Sequence, residues 1–260
     1  MIQSVHRAIK ILSLFTLSKP RLGISEISRA LNLHKATVQN LVRTLNDEGI
    51  LQQDPETKKY QLGLRLYEFG VILTATLEIN QKASEPTHQL AIKARKVVHV
   101  AIKDGDTAII TLDAYPRSQP YLSTPLGLRF PLYCTALGKA LLAYMGQAEL
   151  DDYLKDIKFV AYTPKTISQK RQLLNDLEKT RQRGYSINCE EHLLSRAAIG
   201  APIFDNNRKV IAALSLVCDP LEITGENINK IAGDVISTAF EISRRMGYYP
   251  EVTDGSMKNR

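Results

Sequence analysis

Between Lys35 and Glu48 the residues able to touch a ligand are Lys35, Ala36, Thr37, Gln39, Asn40, Arg43 and Thr44. They fall opposite Val38, Leu41, Val42 and Leu45, whose i, i+3, i+4, i+7 spacing gathers one apolar stripe on a helix. Small and hydrogen-bonding groups beside a single cation suit the major groove of DNA. There Asn or Gln can bond adenine twice, and Arg can do the same to guanine. The competing reading is an ordinary amphipathic helix with a solvated face. Lys58 and Lys59, farther along, stand where cations could meet phosphate without reading sequence.

Other chemistry is less well supported. Cys134 precedes an expected helix, whose start would stabilise a thiolate, and His99 lies on an expected strand that could face the same cavity. A nucleophile–base pair is thereby conceivable, but a cysteine at a helix start is commonly a packing residue, and His99 between two valines reads as a satisfied sheet residue. His6, His34, His88 and His192 have no mutual ligand spacing, and Glu190, Glu191 and His192 could share a metal only through an irregular turn. No metal, no cofactor and no enzymatic activity are expected. Cys134, Cys189 and Cys218 are far apart, odd in number and without C-x-x-C spacing, which argues against disulfides and zinc. A cysteine-based redox regulator remains the alternative function.

The elements that would position the reading helix are legible around it. A short helix from Ser25 to Leu31, with small Ala30 at an expected close crossing, meets a turn at Asn32, a residue that tolerates left-handed backbone. After Gly49 come Ile50–Gln53, a turn containing Pro55, and Tyr60–Gly63, a two-stranded wing. Val5, Ala8, Ile9, Leu12 and Phe15 predict an amphipathic first helix that backs the head. Leu62, Leu66, Phe69, Leu73 and Leu77 predict a helix over 64–80 with a continuous apolar edge, suited to pairing with a second subunit or to packing on its own chain.

Beyond residue 81 the pattern alternates without a repeat. Helices are expected at 86–95, 135–145, 169–183 and 226–246, and strands at 97–103, 108–115, 184–189, 197–204 and 210–217, with an irregular stretch at 116–131. This is an α+β domain with an antiparallel sheet. The expected organisation is a winged helix-turn-helix domain (1–63), a linker or dimerisation helix (64–80), an effector-binding domain (81–249) and a flexible tail (250–260).

A length of 260 residues allows two domains, and 44% hydrophobic against 23% charged residues describes a chain able to bury a core. Of the net charge of +7, an excess of four lies before residue 76, where the reading helix is. With neither a membrane-length apolar run nor a secretory leader, a cytoplasmic protein is expected.

Four ordered motifs then coincide with one family: Tyr60-Gln61-Leu62-Gly63 with Leu66 and Gly70, Cys134 to Ala140, Arg183-Gly184-Tyr185, and Gly200 to Asp205. Over nearly its whole length the chain resembles the IclR family of bacterial transcription regulators. The resemblance implies a winged head that binds double-stranded operator DNA, a dimerising linker helix, and a GAF-like domain that binds a small-molecule effector. Homodimers, in some members tetramers, are implied too. In relatives that bind carboxylates, two backbone amides at a helix start hold the anion; here they belong to Ala136 and Leu137, beside Thr135. A helix N-terminus favours anions on physical grounds as well. Ser215 matches the family's pocket serine. Asn188 stands for its usual Asp, Ser195 for a Gly and Ala198 for a frequent Cys, while Gln119, Leu122, Phe130 and Arg196 occupy wall positions. Losing a carboxylate at Asn188 and gaining a guanidinium at Arg196 favours an anionic effector, a carboxylate or sulfonate. Arg196 could instead turn outward or pair with Glu190 or Glu191.

Overall fold

The stripe on the reading helix closes a small core. In the computed structural model, which describes residues 1–116 and 126–250, the chain divides into two units after Thr76. The first contains α1 (Gln3–Leu12), α2 (Ile24–Leu31), α3 (Lys35–Asp47), β1 (Leu51–Gln53), β2 (Tyr60–Leu62) and α4 (Leu64–Thr76). Val38 and Val42 are fully buried against Ile11, Leu22, Ile27, Leu51 and Tyr60, with Leu41 and Leu45 packed at the margin. Asn32 ends α2 in the left-handed region at φ 51°, as its side chain permits. β1 and β2 pair antiparallel, Leu51 opposite Leu62, and the Asp54 carboxylate accepts the amides of Glu56 and Thr57 to close the wing turn.

Three expectations are corrected in this unit. Val5 and Ile9 are more than half exposed, and Ile11, outside the anticipated stripe, is the α1 residue that enters the core. Ala30 is exposed, so its small size serves no close crossing. The helix expected over 64–80 ends at Thr76, where Leu77 takes extended backbone. None of the α4 residues is buried within the chain, and Leu64, Tyr67, Ile72 and Leu73 are at least 60% exposed.

The second unit contains α5 (Glu78–Ala94), β3 (Val98–Asp104), β4 (Thr107–Ala114), β5 (Arg129–Pro131), α6 (Ala136–Ala143), α7 (Gln147–Asp156), α8 (Lys170–Arg183), β6 (Ser186–Cys189), β7 (Ala197–Phe204), β8 (Val210–Cys218) and α9 (Gly225–Arg245). The α5 helix begins eight residues before Pro86, which therefore lies in its interior rather than at its start. A strand, β5, occupies part of the stretch expected to be irregular, and α7 had no counterpart in the expectations. Among the described residues no helix is long and apolar enough to cross a membrane.

The six strands run in the order β5-β4-β3-β8-β7-β6, each pair antiparallel. Period-two alternation gives each strand two faces. Val98, Val100, Leu214, Leu216 and Ile199 share one core with residues of α5 and α9; Ala101, Ile110 and Ala213 share the other with α6, α7 and α8. Register pairs Asp113, His99, Ser215, Gly200 and Ser186 in turn, a row across five strands on the face opposite Val98 and Val100. At Gly200 a Cβ would lie 2.7 Å from the Ala136 carbonyl oxygen and 2.8 Å from Ser186 Oγ. The Ser186 hydroxyl donates to that carbonyl at 2.6 Å. The missing side chain thus lets the first turn of α6 seat on the sheet.

Gly200→Ala is expected to destabilise the protein by roughly 1–3 kcal/mol, the usual cost of overpacking, when urea unfolding is compared with wild type. Gly233→Ala, on an open face of α9 with nothing within 4 Å of the added methyl, should instead stabilise by up to about 1 kcal/mol. Equal effects at the two sites would show that the close approach at Gly200 carries no constraint.

Candidate functional site

The seat of α6 leaves a chamber of about 580 Å³ over the polar row, lined by His99, Phe130, Ala136, Leu137, Asn188, Arg196 and Ser215, among others. At its floor is the start of α6. Thr135 caps the helix, its hydroxyl oxygen accepting the Gly138 amide at 3.1 Å, and its carbonyl accepts the Lys139 amide. No hydrogen bond takes the amides of Ala136 and Leu137 among the described residues. Two free N–H groups at the positive end of a helix dipole form an anion-binding geometry.

The walls add neutral polar groups. Ser215 is 2% exposed and His99 6%, they face each other across the β3–β8 pair, and neither side chain has a hydrogen bond among the described residues. His99 was expected to be a satisfied sheet residue; it is unsatisfied, and its Nε2 is buried without a partner. Burial pushes its pKa down to about 4, against a smaller upward pull from Asp113, so the ring is neutral at physiological pH. Asn188 Oδ1 accepts the Glu191 amide at 2.9 Å, so only its NH2 remains to face a ligand. Phe130 and Ala198 contribute apolar surface, and Thr135, although it lines the chamber, has its hydroxyl committed to the helix cap and to the Pro131 carbonyl. Gln119 and Leu122 lie outside the described residues.

Arg196 is exposed at the chamber, and its guanidinium has no hydrogen bond or ion pair among the described residues. The carboxylates weighed as its partners are engaged elsewhere, Glu190 with Lys165 and Glu191 with Lys139. Lys139 is 1% exposed and also reaches Asp176 at 2.9 Å. Burial raises the Glu191 carboxyl above its usual range, with Lys139 opposing. The Glu191 carbonyl accepts the Thr166 hydroxyl at 2.6 Å, and that of Glu190 accepts Thr163 at 2.6 Å. His192 meets Phe130 edge-on, ring centroids 5.3 Å apart. Residues 190–195 are thereby pinned beside the chamber. The sequence reading weighed Glu190, Glu191 and His192 as a metal set, Glu190 and Glu191 as partners of Arg196, and Ser195 as a wall position, and gave Lys139 no role of its own; a lone Lys in a helix ordinarily reads as solvated.

Cys134 and Cys218 are buried, in keeping with the packing role that the sequence favoured for a cysteine at a helix start. Burial pushes Cys134 and Cys218 up to about 12, overcoming any gain that Cys134 draws from the start of α6, so both are unreactive thiols at neutral pH.

In the head, Lys35, Ala36, Gln39, Asn40, Arg43 and Thr44 are exposed and Thr37 is half-buried. The Thr44 hydroxyl bonds back to the Asn40 carbonyl, whereas the side chains of Gln39, Asn40 and Arg43 are uncommitted. Of the two wing lysines, Lys59 pairs with Glu26 at 3.3 Å; Lys58 has no ion pair among the described residues.

Residues 72–244 match the family described as bacterial transcriptional regulator IclR C-terminal, and residues 4–55 match the IclR helix-turn-helix domain. The chain is 31% identical over 248 residues to the HTH-type transcriptional regulator XynR of Escherichia coli (strain K12), covering 95% of this chain and 98% of that one. It resembles the crystal structure of Thermotoga maritima IclR (28% identity, TM-score 0.76, 95% of this chain and 100% of that one). It also shares the fold of an IclR homolog from Microbacterium hydrocarbonoxydans complexed with 4-hydroxybenzoate (20% identity, TM-score 0.81, 94% and 99% covered).

A buried neutral imidazole has a signature in stability. With the folded pKa near 4 and the ordinary value at 6.5, the unfolded chain binds the extra proton in that window, so stability rises with pH through it. The contribution is complete above 6.5 and lost towards 4, on the order of 3 kcal/mol. Burial lowers His192 as well, with the same sign. Urea denaturation at several pH values should give a shallower slope for His99→Gln than for wild type; an unchanged slope would mean that His99 is protonated in the folded protein.

Proposed function

Because this chain belongs to the IclR family of bacterial transcriptional regulators, we propose that its head reads an operator while its second unit senses a small organic anion. The DNA reading rests on the exposed face of α3, where the side chains of Gln39, Asn40 and Arg43 have no partners among the described residues. Such side chains can contact base edges, and Lys58 supplies a phosphate contact. Lys35, Ala36, Thr37 and Thr44 complete the proposed surface. Lys59 contributes less, since Glu26 already neutralises it.

The effector reading rests on one observation, the two uncommitted amides of Ala136 and Leu137 at the chamber floor. Arg196, without a carboxylate partner, adds attraction for negative charge at the chamber. A carboxylate or sulfonate fits both. A homolog of the same fold carries 4-hydroxybenzoate, itself a carboxylate, which agrees with that class. Asn188, Ser215, Phe130 and Ala198 form the rest of the proposed pocket, with Gln119 and Leu122 kept from the resemblance alone.

The regulator acts as a homodimer in this proposal. The exposed apolar residues of α4 find no cover within the chain, and a dimeric reader places two heads on two half-sites. The effector changes operator affinity by binding one arrangement of the dimer better than the other.

In a mobility assay Arg43→Ala should lose roughly 1–3 kcal/mol on the operator and much less on unrelated DNA. Lys58→Ala should weaken both alike and lower the salt dependence by about one ion. Equal loss for Arg43→Ala on every sequence would reassign that residue to phosphate. In a thermal-shift screen, anions should raise the melting temperature and neutral sugars should not. Ser215→Ala should keep operator binding and weaken the response to those anions. The opposite ranking in the screen would defeat the anion reading.

A further inference from the structure

The amides of Ala136 and Leu137 account for the charge of an effector, but the chamber contains a second polar site they do not explain. His99 on β3 and Ser215 on β8 are directly opposite each other, both line the chamber, and both are over nine-tenths buried. Neither side chain hydrogen-bonds to another described residue, and Nε2 of His99 has no partner although it is shielded from solvent. A desolvated polar group left unpaired is unfavourable, so a ligand that supplies its partner gains affinity. We propose that His99 and Ser215 form a hydroxyl-recognition station, so that the effector is a monoanion bearing an uncharged hydroxyl, a hydroxy acid. This rests on the anion reading and deepens it.

The chemistry favours a hydroxyl over the alternatives. A neutral imidazole presents one donor and one acceptor nitrogen, and Ser215 Oγ can do either; a hydroxyl satisfies whichever pair faces it, because it also donates and accepts. A second carboxylate is acceptor-only; of the two cations that line the chamber, Lys96 is already paired with Glu222, and Arg196 is exposed, unlike the buried His99 and Ser215. Nearest along the same strand row is Asp113, whose negative charge acts on His99, and its carboxylate already accepts the Tyr115 hydroxyl at 2.6 Å. A purely aliphatic end would leave His99 and Ser215 desolvated and unpaired, the arrangement by which hydrogen-bonding sites reject analogues that lack the group.

The test is calorimetric titration of the full-length protein with matched acids: propionate, lactate and malonate on one skeleton, phenylacetate and mandelate on another. Lactate should bind more tightly than propionate, and mandelate than phenylacetate, by on the order of ten-fold, with malonate weaker than lactate. His99→Leu should reduce the hydroxyl preference, read as the ratio of hydroxylated to plain acid affinity within the same variant, to within about two-fold. His99→Gln, which keeps a donor and an acceptor, should retain part of it. Binding of the plain and hydroxylated acids with equal affinity, or a preference for malonate, overturns the hydroxyl station but leaves the anion reading standing. Failure of every acid to bind overturns both. A hydroxyl preference undiminished in a folded His99→Leu protein assigns recognition elsewhere and also overturns it.

Discussion

Everything the chamber can do depends on how closely the first turn of α6 approaches the surrounding backbone. Two glycines set that distance. At Gly138 an added Cβ would fall 2.3 Å from the backbone of Leu132, and at Gly200 it would fall 2.7 Å from the Ala136 carbonyl. Neither neighbour is a flexible side chain that could move aside. Ser186 then fixes the seat by donating to Ala136, and Thr135 consumes the Gly138 and Lys139 amides, leaving the first two of the helix free. The partial charge of a helix terminus is spread over its uncommitted N–H groups and acts strongly only within about one turn. Backbone contact at these glycines, rather than any charged side chain, therefore determines where the proposed anion would be held.

The same short helix also anchors the segment beside the chamber. Lys139 shares one buried ammonium between Asp176 of α8 and Glu191 of the 190–195 segment. Removing one member of such a cluster leaves a buried charge uncompensated, which typically destabilises by about 3–5 kcal/mol. Glu190 and Ser195, at the two ends of the segment, both have left-handed backbone, with φ of 59° and 58°. Conformations of that kind persist where surrounding contacts over-determine them. Here the contacts are visible: Ser195 donates its amide to Glu190 Oε1, and Thr163 and Thr166 hold the two carbonyls. The proposed anion site and the segment beside it consequently share α6 as a common support.

Periodicity recovered the reading helix because its stripe is buried within its own unit, and Asn32 announced the turn because few residues adopt that backbone readily. The strands β7 and β8 were legible for the same reason, with apolar runs bounded by a turn. Period alone was misleading where apolar residues find no cover inside one chain: Val5 and Ile9 match the pattern yet are exposed, and Ile11 takes the core position. Pro86 looked like a helix start because of its steric preference, but contacts made by Ala83, Leu90 and Ala91 in the core carry α5 through it. His99 was misread for a subtler reason. Alternation with Val98 and Val100 correctly turns it to the opposite face, but only the third dimension reveals that this face opens on a chamber instead of a packed helix. Lys139 carried no signal at all, since its partners lie 37 and 52 positions away.

How small a change would suffice to couple effector and operator follows from the energies involved. Allosteric coupling of about 1–3 kcal/mol changes an affinity from a few-fold to more than a hundred-fold. A single hydrogen bond to a charged group has a net strength of about 1.5–3 kcal/mol. One amide–anion bond present in one arrangement of the protein and lengthened in the other therefore supplies the whole difference. The packing around α6 suits this requirement: with Gly138 and Gly200 against backbone, the turn cannot yield gradually, so a ligand that displaces it must shift the sheet contact, the Lys139 cluster and the 190–195 segment together. Close-packed interfaces of this kind respond by changing between discrete arrangements rather than by deforming continuously. A rigid seat beneath two free amides is thus better suited to transmitting a small binding difference than a pocket of long, flexible cations would be, because flexible side chains would follow the ligand and dissipate the difference before it reached the backbone.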